Sequence, residues 1–573
     1  MDELQYDVVV VGGSLGGVAA ALRAAAMGVS VCLLEPTTWL GGQFTAQGVC
    51  KPDENQYTET VGSTASYRDF RQAVRSHYRS TYRLSASGAQ QPHLNPGGPY
   101  PGFAVEPRVG HSIFAQQLNA AGVDVRLQMR VVRAEMDGAW MTAAIASDGH
   151  GGQTRFVASF FLDATDLGDL LPLAGAEFAL GAEGRAQTDE TLAPDEPNAA
   201  WIQPITVPIA LERRPAGENH TIARPAGYAQ LKAQQQYTIV DGYVNSMFLA
   251  GRDLWTYRRF IAAENFADPA LSTDRSMLNM AANDLQQGTL PTGSADGDAA
   301  VIEAARQATL GYLYWLQTEC RRDDGSGNGY PELAPRTDVF GTADGTAAQP
   351  YVRESRRLVA LVQVRQQDVD ADSNPGPRAR FWNDSCGIGY YGGMDVHALA
   401  SVGMPESFTS IKPFQIPLSA LIPVRVTNVL AACKNLGVTH LANGAYRPHP
   451  CEWNVGEAAG ALAAFAMQRG VDPHQVPASD DLLRAYQQAL LDAGVPLYWW
   501  SDVDPGSAPW AAVQMLGARG LASGEGDLQF HPGDPLTDDA KAAIAANLGS
   551  DIDWPSGAMT RGDAAIWLIG QLQ

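Results

Sequence analysis

An α/β fold is predicted by three features of the chain. A run of valines passes directly into a glycine-rich turn and an alanine-rich helix, a second apolar run closes on an acid, and three later strand-like runs are joined by Asp-Gly turns. The opening run is Asp7-Val8-Val9-Val10-Val11, followed without a spacer by Gly12-Gly13-Ser14-Leu15-Gly16-Gly17. Four consecutive valines have the composition of a strand buried on both faces. Val18 to Met27 then reads as an Ala-rich helix, and Val29 to Leu34 as the next strand, closed by Glu35. This is the order of a Rossmann-like βαβ unit. A tight glycine turn brings backbone close to a pyrophosphate, the helix presents unpaired N–H groups and its positive dipole end, and an acid roughly 20 residues on accepts hydrogen bonds from a ribose diol. In the G-x-G-x-x-G register Ser14 stands where the second glycine usually does. Serine is small enough to keep the backbone near the phosphate, and its hydroxyl can donate to it. The opening unit alone leaves NAD, NADP and FAD open, beside the plain alternative of a buried strand–turn–helix.

The later elements follow in order. A helix is expected near Tyr67 to Tyr82, then a Pro/Gly-rich surface loop from Pro92 to Pro107. Val125 to Glu135, Ala139 to Ser147 and Thr154 to Leu162 read as three strands, joined by Asp137-Gly138 and Asp148-Gly149, the turn chemistry of a β-meander. The last delivers Asp163-Ala164-Thr165-Asp166 to the carboxyl edge of the sheet, where open α/β folds bind ligands. Residues 186–350 lack glycine signatures and mix strands such as Ile205 to Leu211 with helices such as Ala300 to Glu319, which suits an inserted α+β domain capping a substrate. From Tyr351 to Met467 the chain is motif-rich again; the polar stretch Arg469 to Ser479 then leads into a helical tail. The expected division is 1–185 with 351–470 as one discontinuous cofactor-binding domain, 186–350 as the substrate/cap domain, and 471–573 as a mostly helical C-terminal module.

Composition bounds the function. At 573 residues the chain exceeds one compact core, and length alone suggests roughly three or four domains. With 62 acidic against 40 basic residues the net charge is -22, a field that repels nucleic acid and anionic membranes. No run approaches the ~20 apolar residues that span a bilayer, and the acidic N-terminus enters the first strand without a secretory pattern. The six cysteines lack CxxC spacing and metal-ligand clustering. The expectation is a cytoplasmic protein with no membrane span, no metal and no nucleic-acid partner.

Several separated segments together resemble the FAD-dependent oxidoreductase family, with its glutathione-reductase-type FAD-binding fold. They are the opening glycines; Leu40-Gly41-Gly42-Gln43; Phe161 to Asp169; Asn279 with Asn283-Asp284; Val352-Arg353-Glu354-Ser355-Arg356-Arg357; Asp395-Val396-His397; and Asn428 to Gly460. The resemblance implies FAD, held noncovalently or, in some relatives of the fold, covalently. It places Gly12, Gly13, Ser14, Leu15, Gly16 and Gly17 at the diphosphate, with Glu35 and Pro36 at the adenosine end. Gly41, Gly42 and Gln43 would lie along the ribityl and phosphate portion, and the strand around Val131 would meet adenine through its backbone. Ala164, Thr165 and Asp166 would also line the cofactor, although Asp166 stands where the family usually has glycine. The helix from Trp453 to Met467, with Gly456, Ala458, Ala459 and Gly460, would point its N-terminus at the pyrimidine side of the isoalloxazine and favour negative charge on the reduced ring. A dithiol mechanism is not expected, because Phe44 replaces the first of the two cysteines and Cys50 has no partner nearby.

Hydride transfer needs an oriented C–H bond and usually a base for the adjacent proton. His440, Arg447, His449 and Glu452 crowd into a short stretch before the flavin-facing helix and are the first candidates, each histidine having the alternative of a hydrogen-bonded structural role. His397 with Asp395 is a second base candidate. Arg353 could clamp a carboxylate or contact flavin, or serve an internal Arg–Glu network. In the tail, Trp500 to Val503, Leu516 to Gly524 and Phe530 to Thr537 resemble one S-layer-homology module, with Thr560-Arg561-Gly562-Asp563-Ala564 echoing its closing motif. A packed appendage is expected there rather than an anchor. The resulting expectation is an FAD-dependent oxidoreductase that removes a hydride from a polar small molecule, anionic or sugar-like, and passes electrons from flavin to O2 or another acceptor. The alternatives are a glycan- or cell-wall-associated flavoprotein and a flavin-dependent isomerase without net redox.

Overall fold

A computed structural model describes residues 2–98, 103–240, 244–249, 251, 253–522, 524 and 526–572. Residues 99–102 of the expected Pro/Gly-rich loop, residue 523 in the tail stretch Leu516 to Gly524, and Gln573 lie outside the described residues.

The valine run lies in β1 (Asp2–Val11), which enters α1 (Leu15–Ala26) through the glycine turn and returns as β2 (Val31–Glu35). Val8 to Val11 are buried on both faces, because β1 is flanked by parallel neighbours and covered by helices. The sheet continues with β3 (Asp124–Leu127), β4 (Arg130–Asp137), β5 (Trp140–Ser147) and β6 (Gln153–Asp163) in the spatial order β3-β2-β1-β6-β5-β4. β6 runs parallel to β1 along its length. On its other edge the first half pairs antiparallel with β5, and Phe161 to Asp163 pair parallel with the strand Val429–Ala431. One strand thus closes the meander and carries its last residues to the ligand edge.

The expected strand from Val125 to Glu135 is two strands. Gln128 adopts a positive φ of 59°, its N–H donates to Thr37 O (2.9 Å), and Met129 N–H donates to Glu35 O (2.9 Å). The end of β2 therefore captures the backbone there, so β3 stays parallel to β2 while β4 turns away into the meander. The expected helix near Tyr67 is present as Ala65–Thr81, capped by Thr64, which accepts from Tyr67 N–H.

The helix expected from Trp453 begins earlier and runs His449–Arg469, with Pro450 tolerated in its first turn, where no intrahelical N–H bond is lost. Its stripe of small residues faces α1. A Cβ on Gly456 would lie 2.0 Å from Gly16 O, and one on Gly460 would lie 2.2 Å from Ala20 O. The two helices cross with their backbones touching, and Arg23 Nε donates to Glu457 Oε1 (3.0 Å) beside the crossing. Gly456, expected at the cofactor ring, is spent on this helix contact.

Within residues 186–350 a second, antiparallel sheet has the order Leu333–Pro335, Ile209–Arg213, Arg275–Leu278, Arg259–Ile261. With the helix Ala295–Thr318 it buries its own apolar cluster, including Ile209, Leu211, Tyr312, Leu316 and Leu333. The tail carries the helices Asp480–Asp492, Trp510–Ala518, Asp538–Leu548 and Arg561–Leu572. Its Trp500, Trp510 and Leu568 belong to the main apolar core, and Trp499 Nε1 donates to Gly389 O and Phe414 O (3.2 and 3.0 Å). Among the described residues no helix is long and apolar enough to cross a membrane.

Gly456→Ala is expected to lose about 3 kcal/mol, since backbone on both sides of the crossing must move and the helix-propensity gain of about 1 kcal/mol offsets only part. Gly376→Ala, which enters open space, should change stability by less than about 0.5 kcal/mol. Urea unfolding midpoints of the two variants test the contact.

Candidate functional site

The glycine turn leaves no room for side chains. Gly12 has φ of 105°, and a Cβ there would lie 2.4 Å from Ala164 O; on Gly16 it would meet Ala432 O at 2.1 Å, and on Gly17 it would meet Gly12 O at 2.0 Å. Ser14 caps α1, its Oγ accepting from Gly17 N–H (3.1 Å), which leaves the hydroxyl proton free to donate. Leu15 anchors the first turn in the core. Gly13 N–H and Thr37 N–H donate to the two carboxylate oxygens of Glu35 at 2.7 and 2.8 Å. Burial raises the Glu35 pKa against the pull of those bonds. Pro36 follows it, half-buried.

Gly41 N–H donates to Gly13 O (2.7 Å), and Gly42 sits where its Cβ would be 3.0 Å from Ser14 Cα. The Gly41-Gly42-Gln43 segment therefore lies against the N-terminus of α1. Gln43 Nε2 donates to Glu452 and to Arg447 O (3.2 Å), while its buried Oε1 has no partner; Gln47 Oε1 and Asn435 Oδ1 are likewise buried without partners. Val131 is buried in β4, opposite Ala146. At the end of β6, Ala164 N–H continues to Val11 O (2.8 Å), and Thr165 donates through N–H and Oγ1 to Asp163. Asp163 itself is a buried turn-former, its pKa pushed up by burial to about 7. Asp166 accepts from Lys434 Nζ (2.7 Å) and Gln47 Nε2 (2.6 Å). A side-chain-free cradle, a capped helix start, an acid placed for a ribose and unsatisfied polar atoms along the same path fit a dinucleotide.

The second part of the site is an alternating chain of charges. Arg353 pairs with Asp284 (3.0 Å), Asp284 with His397 Nδ1 (2.6 Å), His397 Nε2 with Asp395 (3.2 Å), and Asp395 with Arg447 (2.7 Å). Arg447 also donates to Tyr351 OH (2.9 Å), and the Arg353 guanidinium stands 4.8 Å from the Tyr351 ring centre. Arg258 pairs with Asp53 (3.1 Å) alongside. Burial works against charge at all three central members, and pairing overcomes it. The Asp284 pKa is lowered despite burial, by Arg353 and His397, and that of Asp395 is likewise lowered, by His397 and Arg447. His397 is raised: burial and Arg353 depress it, but the two aspartates outweigh them.

Three expected residues, Arg353, His397 and Arg447, thus meet in one chain, and three do not. His440 is buried, with Nδ1 2.8 Å from Glu354 Oε2, in a network where Arg357 joins Glu354 and Glu183. His449 donates from Nε2 to Val49 O (3.0 Å), accepts from Asp53 N–H and packs on Phe44; burial drives its pKa down to about 3, so it is a neutral structural residue. Glu452 is fully buried against α1, accepting from Gly16 N–H (3.1 Å). The aspartate partners were the less legible half. Asp284 lies within a matched segment but bears no motif of its own, and Arg258 and Asp53 have no local signal at all. Among the described residues no group of three or more His, Cys, Asp or Glu is placed to hold a metal ion.

The sequence profile of the FAD dependent oxidoreductase family matches residues 7–490, and the chain belongs to that family. No curated protein matches it. Solved structures similar to it include a flavin-dependent brominase at 13% identity and TM-score 0.25, covering 37% of this chain and 48% of that one, so the chain spans about half that enzyme's length. A geranylgeranyl bacteriochlorophyll reductase-like protein from Thermoplasma acidophilum is 10% identical over 96% of this chain and 97% of its own, with TM-score 0.34. The glycerol-3-phosphate dehydrogenase of Bacillus halodurans, solved with FAD, is 16% identical, covering 36% and 40%, with TM-score 0.24. Membership of that family makes FAD the cofactor.

His449 makes a signed stability prediction. Its folded pKa of about 3 lies below the unfolded value of about 6.5, so the unfolded chain binds the extra proton between them and stability falls as pH drops through that window. Asp163 acts with the opposite sign, since its raised pKa costs stability as pH rises from about 4 to about 7. Comparison with His449→Gln cancels that term. The wild type should lose stability relative to the variant by about 1.4 kcal/mol per pH unit between pH ~6.5 and ~4.5, read from urea midpoints; parallel curves would refute the assignment.

Proposed function

We propose that this FAD dependent oxidoreductase removes a hydride from a hydroxyl-bearing carbon of a polar small molecule held at the Arg353–Asp284–His397–Asp395–Arg447 chain. The observation that carries this reading is an imidazole gripped by two carboxylates, each anchored by its own arginine. FAD, when bound, supplies the two-electron acceptor for the hydride. His397 is the proton-handling group. Its shorter contact, Nδ1 to Asp284, fixes the neutral tautomer with the proton on Nδ1, as an orienting carboxylate does in a catalytic triad. Nε2 then faces the Asp395 carboxylate at 3.2 Å with no proton between them, which makes it the acceptor for a substrate O–H proton, and the imidazolium that forms is hydrogen-bonded to both carboxylates. Its side chain is 19% exposed, the most open of the chain's three expected members.

Charge balance narrows the substrate. Arg353, Arg447, Arg258 and Lys434 are each already matched, by Asp284, Asp395, Asp53 and Asp166. An anionic substrate would have to displace a buried carboxylate and leave it unpaired, whereas a neutral polyhydroxylated one adds hydrogen bonds to both signs. A sugar-like substrate is therefore favoured over an anionic one, with O2 or another acceptor taking the electrons afterwards. In this reading 1–185 with 351–470 bind the cofactor, 186–350 shape the substrate side, and 471–573, with its S-layer-like motifs, serve as a packed appendage. Six buried free cysteines support a reducing, cytoplasmic setting.

Anaerobic mixing with neutral polyols and sugars should bleach the flavin absorbance, and hydroxy acids should not. Because the base must be neutral and its pKa is raised, the reduction rate should climb with pH through a value above about 6.5. His397→Gln should lower that rate by about 10²- to 10³-fold at pH 8 and remove the climb. An unchanged rate and profile in the variant would exclude His397, and turnover without bleaching would favour the isomerase reading.

A further inference from the structure

The N–H of Gly16, in the first turn of α1, is already taken. Its acceptor is Glu452 Oε1 at 3.1 Å, from a side chain only 1% exposed that reaches back from the first turn of the His449–Arg469 helix. Gln43 Nε2 donates to the other carboxyl oxygen, and the Cys433 thiol lies 3.3 Å from Oε1. The carboxyl group thus sits among donors at the positive end of α1, the arrangement that a helix start offers to a phosphate. The neighbouring acceptor Gln43 Oε1 is buried and unpartnered, so the pocket holds an acid without satisfying the groups around it.

We propose that Glu452 is an internal competitor for the FAD diphosphate, and that FAD binding is coupled to its neutralisation and withdrawal from Gly16. The proposal rests on the diphosphate lying at the Gly12–Gly17 turn. Two anions cannot share one N–H and one helix end in a site that excludes water; the mutual repulsion grows as the local dielectric falls. The charged groups facing Glu452 are Lys434, which favours its ionised form, and Asp166, which opposes it; the thiols of Cys433 and Cys451 are adjacent. Lys434 is itself bound to Asp166 at 2.7 Å, so its charge is largely committed elsewhere. Burial is the largest influence on Glu452 and raises its pKa, so the neutral acid persists to higher pH than in a solvent-exposed glutamate. The sign follows directly. Low pH favours the neutral acid and hence cofactor binding, and high pH favours the carboxylate and weakens it. Glu35 would give the opposite slope, because protonation removes its acceptor for a ribose hydroxyl.

Equilibrium dissociation constants for FAD and for ADP, measured by flavin fluorescence and dialysis on the full chain between about pH 6 and pH 8, test the coupling. The wild-type Kd should rise at least about threefold for both ligands across that range, while Glu452→Gln should bind more tightly at pH 8 and show no rise. A wild-type Kd independent of pH, or a variant that parallels the wild type, overturns the proposal. Should the variant fail to fold, riboflavin decides on the wild type alone. It carries no diphosphate, so equal slopes for riboflavin and ADP overturn the proposal and a slope confined to ADP supports it. Absence of ADP binding at every pH overturns the placement of the diphosphate, and the competitor with it.

Discussion

The backbone contact between α1 and the helix His449–Arg469 is the constraint on which the remainder of the structure depends. Gly456 and Gly460 admit the backbone of Gly16 and Ala20 to within the space a single Cβ would fill, and Gly16 in turn seats on Ala432. Without side chains at those points, segments more than 400 residues apart in sequence are fixed at one helix start. Gln43, Cys433, Arg447 and Glu452 converge there because three glycines permit it. A dinucleotide cradle and a substrate chemistry can then be encoded in different parts of the chain and still meet.

Charge is managed around that contact by pairing rather than by exposure. His449 and His397 are both enclosed, yet they are driven in opposite directions. His449 is kept neutral by burial and by the Asp53 N–H that donates to its Nδ1, which together outweigh the pull of the Asp53 carboxylate and the Val49 carbonyl toward the cation. His397 meets two carboxylates, which stabilise the cation. Burial alone therefore does not mark a functional histidine; what surrounds the ring decides whether it can carry a proton within the working pH range.

This distinction explains what the sequence makes legible. The βαβ unit can be read because its requirements are local: a valine run, a turn that excludes side chains, a cap and an acid at a fixed distance. The break at Gln128 cannot be read locally, since nothing in the run Val125 to Glu135 signals that the end of β2 will bind its backbone. The same holds for Gly456, whose small surface suits a ring or a helix equally until α1 arrives. At the charge chain, Arg353, His397 and Arg447 stand out by residue type and neighbourhood. Asp284, Asp53 and Arg258 acquire meaning only through partners distant in sequence, and His440 and His449 look alike in sequence to the histidine that differs from them in surroundings.

The position of those partners has a consequence for how such a site can change. Asp284 and Arg258 come from the region that buries its own apolar cluster, while Asp395, His397 and Arg447 belong to segments packed in the main core. The charge chain therefore joins residues 186–350, which place Ala210, Ile261, Met277 and Leu285 in the main core beside a cluster of their own, to the segments that carry His397 and Arg447. Gly12, Gly16 and Gly456 make their close contacts with Ala164, Ala432 and Gly16, so substitutions at Asp284 or Arg258 leave those contacts in place. Loss of the Arg447 side chain would leave the half-buried Asp395 without its arginine, whereas the Arg447 carbonyl that accepts from Gln43 would remain. The substrate side is free to vary to the extent that each buried charge keeps a partner, whereas the cofactor side is held by backbone contacts that no side-chain exchange can replace.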